Sequence, residues 1–141
     1  MEQHSHSHSP EPQSNFREME MQFNYVSTQI EEAKRQLGET RMALQEAQET
    51  LLAITELEKK PRNTIVSLGN NAFVPAQLEN EKIIVPIGVN VLAQKTPKEA
   101  LAIVEERVAR ISQVVGNIER ALGQMFQLRQ QLVEQLQAQS Q

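Results

Sequence analysis

The chain has 141 residues, a formal net charge of −4 and no cysteine, and all of its acidic residues are glutamate. This length allows one ordinary domain, the acidic balance disfavours a nucleic-acid-binding module, and the missing cysteines exclude disulfides and thiolate chemistry. Aromatic residues make up only 4% of the chain, which disfavours a thick globular core, and glutamate is a good helix former. No apolar run approaches the roughly 20 residues of a membrane span. We therefore expect a helix-rich protein of the cytoplasm.

Residues 1–15 are predicted to form a disordered tail, since their only hydrophobic residue is Met1. The three histidines of the protein, His4, His6 and His8, lie in this tail, where a metal would bind only weakly. The rest of the chain has no histidine, cysteine or aspartate, which excludes catalytic triads and most metal sites. It also has no G-x-x-x-x-G-K-[ST] phosphate loop. We therefore expect no enzyme, no cofactor and no metal site.

A heptad repeat begins at Phe16 and predicts a helix over about residues 16–60. Its strict period predicts a left-handed coiled coil rather than an isolated surface helix. Lys59, Lys60 and Pro61 are typical of a helix end. Apart from Thr40 the core columns are apolar, with a positions at Phe16, Phe23, Ile30, Leu37, Leu44 and Leu51 and d positions at Met19, Val26, Ala33, Thr40, Ala47 and Ile54.

The segment of about residues 62–95 is predicted to form two β-hairpins. Stretches rich in β-branched residues flank the turns 69–71 and 88–90, whose glycine and asparagine residues can adopt positive φ. Pro75 and Pro86 lack an N–H group and therefore belong at sheet edges or bulges.

A second heptad repeat predicts a helix over about residues 97–138. Thr96 suits the N-cap, Pro97 suits the first helical position, and Glu99 completes a capping box. Arg129 and Gln139 interrupt the core columns, so the repeat frays at its end. The a positions are Leu101, Val108, Val115, Leu122, Arg129 and Leu136, and the d positions are Val104, Ile111, Ile118, Met125, Leu132 and Gln139.

Two helices of similar length joined by a compact strand segment favour a long antiparallel coiled-coil hairpin, in which both chain ends meet at one tip. The alternative is a parallel dimer between two chains. Isolated hairpins are marginal in water, and exposed apolar strands aggregate unless they pair. We therefore expect the hairpins to join an inter-subunit β-barrel through Ile65, Val66, Phe73, Val74, Ile83, Ile84, Val85, Ile87, Val91 and Leu92.

The segments 68–78 and 83–91, between two heptad helices, carry a resemblance to a known family. They resemble the α-type subunit of prefoldin, a cochaperone, and the similarity extends over about residues 16–136. The resemblance implies a heterohexamer of two α-type and four β-type subunits. It further implies that the coiled-coil tips hold unfolded client proteins without nucleotide and deliver them to a group II chaperonin.

If both termini lie at the tip, clients should contact the apolar residues of that end. The simpler alternative is ordinary packing between the helices, which we favour for Phe23 and Leu132. Methionine suits client binding because its flexible side chain adapts to varied surfaces. The candidate client-binding residues are Phe16, Met19, Met21, Phe23, Leu132, Val133 and Leu136.

Three glycines, Gly38, Gly116 and Gly123, follow a-position residues and so occupy b positions of the heptads, where each costs about 1 kcal/mol relative to alanine. They either loosen the helices to admit clients of different size or reflect neutral drift at exposed positions.

Two functions remain open from the sequence. A holdase should prevent aggregation of unrelated unfolded proteins. A structural coiled-coil adaptor would share the oligomer but bind only fixed partners.

Overall fold

The computed structural model describes residues 12–59, 63–78 and 82–139. Two long helices bracket four short strands in this part of the chain. Helix α1 covers Pro12–Glu58 and helix α2 covers Pro97–Gln139, and strands β1 to β4 cover Asn63–Gly69, Ala72–Gln77, Ile83–Gly88 and Val91–Lys95. The prediction of a mainly helical chain with two small hairpins is confirmed. The histidine-rich part of the predicted tail lies outside the described residues.

Both helices begin at a proline. A proline fits the first helical position because the N–H that it lacks would have no partner inside the helix. Helix α2 begins at Pro97, next to the Thr96 cap, and α1 begins at Pro12, four residues before the first a position at Phe16. The polar residues 13–15 continue the helix without adding to its apolar columns, so a pattern of hydrophobic residues could not include them.

Burial along both helices follows the predicted heptads. Every a and d residue from Phe16 to Ile54 in α1, and from Leu101 to Leu136 in α2, is buried or half-buried. Nearly all of the remaining helical residues are exposed. Gln139 is exposed, as expected of a repeat that frays at its end. The seven-residue period therefore determines which stripe of each helix faces the other.

The chain divides into two compact units. Of the described residues, unit 1 contains 12–39 and 115–139, and unit 2 contains those between 40 and 114. Each has a small apolar core that both helices contribute to. The buried core of unit 1 is formed by Val26, Ile30, Ala33, Leu37, Leu122 and Leu132. That of unit 2 is formed by Ile54, Val85, Ala100 and Val104.

The helices run antiparallel, as predicted. In unit 1, Phe16 of α1 shares a groove with Gln139 of α2, whereas further along α1 the ammonium of Lys34 lies over the ring of Phe126. In unit 2, the last part of α1 packs against the first part of α2, around Ile54 and Val104. Within unit 1, residue numbers that rise along α1 fall along α2, so the antiparallel pairing there is formed by two helices of the same chain.

The strands form two separate antiparallel hairpins, with β1 paired to β2 and β3 paired to β4. Their turns depend on left-handed backbone: φ is +92° at Gly69, +61° at Asn71 and +58° at Asn90. Asparagine tolerates this conformation better than other residues with a side chain, which lets it stand in turns that otherwise favour glycine. The pairing register shifts beside each turn, between Ser67 and Gly69 and between Pro86 and Gly88.

Thr96 caps the first turn of α2. Its Oγ1 accepts a hydrogen bond from the backbone N–H of Glu99 at 3.2 Å and donates one to the Glu99 carboxylate at 3.0 Å. We expect Thr96→Ala to lower the free energy of unfolding by about 1 kcal/mol, because the helix loses a cap for its unpaired N–H groups. Thr96→Ser keeps the hydroxyl and serves as the control. Urea unfolding followed by circular dichroism measures both, and equal midpoints for the two variants would contradict the prediction.

Candidate functional site

One face of the β3–β4 hairpin packs on the helices of unit 2. Side chains alternate between the two faces of a strand, which places Ile83 and Val85 on the same side. Val85 is buried against Ile54 and Val104, and Ile83 packs on the edge of this cluster. Both residues are among those expected to take part in subunit assembly, and within this chain they pack against its own helices.

Arg107 of α2 adds a polar contact to this docking. Its guanidinium donates a hydrogen bond of 3.1 Å to the backbone carbonyl of Pro86 in β3. Pro86 lies beside the irregularity in the β3–β4 register. The bond satisfies a carbonyl next to the irregular register and ties the hairpin to the helix.

The opposite face of the β3–β4 hairpin is apolar and open. Ile84 is 62% exposed and Leu92 is 67% exposed, and the register places both on this face. Ile87 and Val91, next to the turn, are also exposed. Large aliphatic residues on one side of an antiparallel hairpin normally pack on something. Since the helices of this chain occupy the other side, this face offers a surface to another molecule.

The β1–β2 hairpin is more exposed than its neighbour. The sequence candidates on it, Ile65, Val66, Phe73 and Val74, are all exposed, and only Thr64 and Ala76 are half-buried. Val66 lies opposite Val74 in the register and so shares a face with it. This hairpin therefore offers apolar residues without a core beneath them.

A second candidate surface lies at the open end of the helices, which we define as residues 12–20 of α1 and 132–139 of α2. It contains a groove of about 610 Å³ lined by Gln13, Phe16, Arg17, Glu20 and Gln139. Phe16 is the one apolar residue among these five lining residues. Its ring is half-buried because α2 offers a glutamine there instead of an apolar side chain.

The predicted client-binding residues separate into packed and accessible ones. Leu132 is only 4% exposed within the core of unit 1, and Phe23 packs against the same cluster. These are the positions that the packing alternative anticipated. Met21 is 71% exposed, on the outer side of α1. The half-buried candidates are Phe16, Met19, Val133 and Leu136.

Phe126 was missed by the sequence analysis. It is 39% exposed and lies at an e position, beside the core columns rather than within them. The Lys34 ammonium lies 5.8 Å from its ring centroid and the Arg129 guanidinium 5.3 Å. Arg129 occupies a core position, is half-buried, and places its guanidinium over the ring. An inspection of the e and g positions for aromatic residues would have found Phe126.

The charged outer face of α1 is built from exposed ion pairs. Arg35 donates hydrogen bonds to Glu32 at 2.5 Å and to Glu39 at 2.6 Å. The hydrogen bond from Arg35 holds the pKa of Glu32 below its ordinary value, and the same two glutamates raise the pKa of Arg35. All of these groups are in contact with solvent, so the pairs contribute little to stability and we assign them no site.

None of the described helices is long and apolar enough to cross a membrane. Over the described ranges the acidic residues also form no group that could hold a metal ion.

Comparisons with known proteins agree on one family. The family described as Prefoldin subunit matches residues 26–141. A prefoldin subunit alpha from Methanococcoides burtonii is 28% identical over 114 residues, which cover 79% of this chain and 83% of that protein. One from Thermoplasma acidophilum is 27% identical over 122 residues, covering 84% of this chain and 88% of that protein.

Solved structures show the same fold. A chain of filamentous PFD from Methanocaldococcus jannaschii superimposes with a TM-score of 0.65 at 20% identity, covering 79% of this chain and 95% of that one. The prefoldin beta subunit from Thermococcus strain KS-1 gives a TM-score of 0.64 at 18% identity and 92% coverage of both chains.

Proposed function

The chain belongs to the prefoldin family and has a role in its chaperone system, and from this premise we propose that it is the α-type subunit of a holdase. In this proposal the chain assembles with β-type subunits, two copies of the α-type chain with four of the β-type. The complex works in the cytoplasm, where it captures unfolded polypeptides without nucleotide and delivers them to a group II chaperonin. The family consists of chaperone components, not enzymes.

The observation that carries the proposal is that one face of the β3–β4 hairpin is packed and the other is apolar and exposed. One face completes the core of unit 2 through Val85, while the other leaves Ile84 and Leu92 exposed. A chain that acted alone would have no reason to keep this surface apolar. Closing the hairpins of several subunits into a barrel would cover the apolar face and remove the unpaired strand edges together.

The open end of the helices supports client capture. Four apolar side chains there, Phe16, Met19, Val133 and Leu136, are only half covered, and the groove around Phe16 is open to solvent. An unfolded polypeptide exposes the apolar side chains that such a surface can accommodate. No energy source is required, because binding of this kind is reversible and follows from burial of apolar area.

Two measurements test the proposal together. Native mass spectrometry of the complex purified from its own cells should find two copies of this chain with four of a smaller subunit. The same complex, added without nucleotide to heat-unfolded citrate synthase, should reduce light scattering. An intact complex that leaves the aggregation unchanged would favour the structural adaptor. A chain that assembles with no other subunit would contradict the proposed assembly.

A further inference from the structure

We propose that the flank of unit 1 around Phe126 is a lateral binding site for an unfolded segment that carries an apolar side chain next to a carboxylate. This inference rests on the proposed holdase function and adds a preferred class of client to it. The site lies away from the open end, on the side of the helices where the e and b positions of the heptads meet.

The apolar part of the site is the ring of Phe126. It reaches across to α1, as its contact with Lys34 shows, yet it keeps 39% of its surface exposed. Aromatic side chains provide a large apolar area at a small cost in conformational entropy, and for this reason they often dominate binding. Because Phe126 lies outside the a and d columns of α2, its ring contributes less to folding than a core residue does and keeps apolar surface available for binding.

Two glycines leave open space beside this ring. Gly38 lies one helical turn after Lys34, and Gly123 lies one turn before Phe126. Because the helices run antiparallel, both steps lead in the same direction along the pair. A methyl group on either glycine would meet no atom within 4 Å beyond the adjacent residues and the helix backbone itself. The surface next to Phe126 therefore has open space above the helix backbone at both glycines, where a side chain of a bound segment can lie.

The charge around the ring determines which segments fit. Lys34 is paired with Glu31 at 3.3 Å, but no carboxylate in the described part of the chain reaches the guanidinium of Arg129. This cation lies 5.3 Å from the ring centroid in a protein whose net charge is −4. A glutamate or aspartate of a bound segment can pair with Arg129 while its apolar neighbour covers Phe126. Charge complementarity thus favours acidic segments over basic ones.

The test uses the assembled complex and two fluorescein-labelled synthetic peptides. The peptides share the same aliphatic residues and carry either glutamate or lysine beside them. The wild-type complex should bind the glutamate peptide several-fold more tightly. Phe126→Ala should weaken that binding by about fivefold or more, the usual effect of truncating an aromatic anchor. Arg129→Gln should remove the preference for glutamate by weakening binding of the glutamate peptide, without weakening binding of the lysine peptide.

Leu128→Ala is the matched control for Phe126→Ala. Leu128 is 46% exposed and lies on the same helix, but its g position puts it on the opposite flank. Its truncation should leave the affinity for both peptides unchanged. Equal losses from Phe126→Ala and Leu128→Ala, or equal binding of the two peptides by the wild type, would overturn the proposal.

The glycines allow a test in which stability and binding change in opposite directions. Gly123→Gln places a side chain in this open space and also improves helix propensity, so the melting temperature should rise while affinity for the glutamate peptide falls about threefold or more. Gly116→Gln is the control, because Gly116 occupies the same column two turns away, beside the side chain of Arg120. It should raise stability without reducing affinity. Unchanged binding by Gly123→Gln would reject the site.

These outcomes are separate from those of the proposed function. A wild-type complex that protects citrate synthase but fails the peptide tests retains the holdase function and loses the lateral site. A wild-type complex that binds neither peptide also rejects the lateral site, and the aggregation assay then decides independently whether the chain acts as a holdase.

Discussion

A chain carrying both Ile84→Glu and Leu92→Glu is expected to fold normally and to lose its assembly with partner subunits. Both residues belong to the exposed face of the β3–β4 hairpin, at 62% and 67% exposure, so the substitutions remove nothing from the core of unit 2. In the proposed barrel the same face is covered, and unpaired carboxylates would have to be desolvated there. Each buried charge without a partner costs several kcal/mol, so association should weaken by at least about a hundredfold.

The measurement is native mass spectrometry of the purified chain mixed with its partner subunit, with circular dichroism to confirm the helical content. Val89→Glu is the control, because Val89 is 91% exposed at the turn of the same hairpin and its replacement adds one of the two charges that the double variant carries. It should assemble as the wild type does. Full assembly of the double variant would show that the outer face of this hairpin is not an interface. Loss of helical content would instead place the damage in the fold.

Val85→Ala gives a contrasting result that identifies the inner face. Val85 contacts the helices of its own chain, so its truncation should lower the free energy of unfolding by about 1–3 kcal/mol. Assembly should weaken only as far as the docked hairpin loosens. Comparison of Val85→Ala with the double variant therefore separates residues that hold the β3–β4 hairpin on its own helices from residues that join it to other subunits.

The helices could be predicted in detail because one physical requirement fixes them. A period of seven keeps a and d residues in the seam between two helices, and Val26, Ile30 and Leu37 are buried as that period requires. The hairpin turns could be predicted for a similar reason, since only glycine and asparagine readily adopt the positive φ found at Gly69 and Asn90.

The faces of the hairpins could not be predicted from the same information. Ile83, Ile84 and Val85 are equally apolar, and alternation alone says that Ile84 points away from the other two without saying which side the helices occupy. The choice depends on tertiary contacts with Ala100 and Val104. Phe126 was missed for a related reason. The heptad pattern identifies residues in the seam, whereas Phe126 lies beside it. The ring is notable because two cations lie over it: Lys34, which belongs to the other helix, and Arg129, which occupies a core position.

The largest effect on client capture is expected from Phe16→Ser combined with Met19→Ser at the open end. These residues occupy the first a and d positions of α1, but neither is fully buried. Near Phe16 the facing position of α2 is Gln139, so the ring borders a polar groove rather than an apolar seam partner. Such side chains contribute less to folding than fully packed ones and retain apolar area for a client. Protection of citrate synthase should fall about tenfold or more, because these side chains belong to the proposed capture surface.

Leu52→Ser provides the matched control, since Leu52 is exposed on α1 but belongs to unit 2. It removes a comparable apolar side chain away from the open end and should leave protection unchanged.

Leu132→Ala separates binding from packing. Leu132 is buried in the core of unit 1, so its truncation should cost about 2–5 kcal/mol of stability. Capture should then weaken only near the lowered melting temperature. The double variant Phe16→Ser with Met19→Ser could instead lower the melting temperature as much as Leu132→Ala does and still protect citrate synthase fully below that temperature. In that case the two residues pack and do not bind, and capture must occur elsewhere.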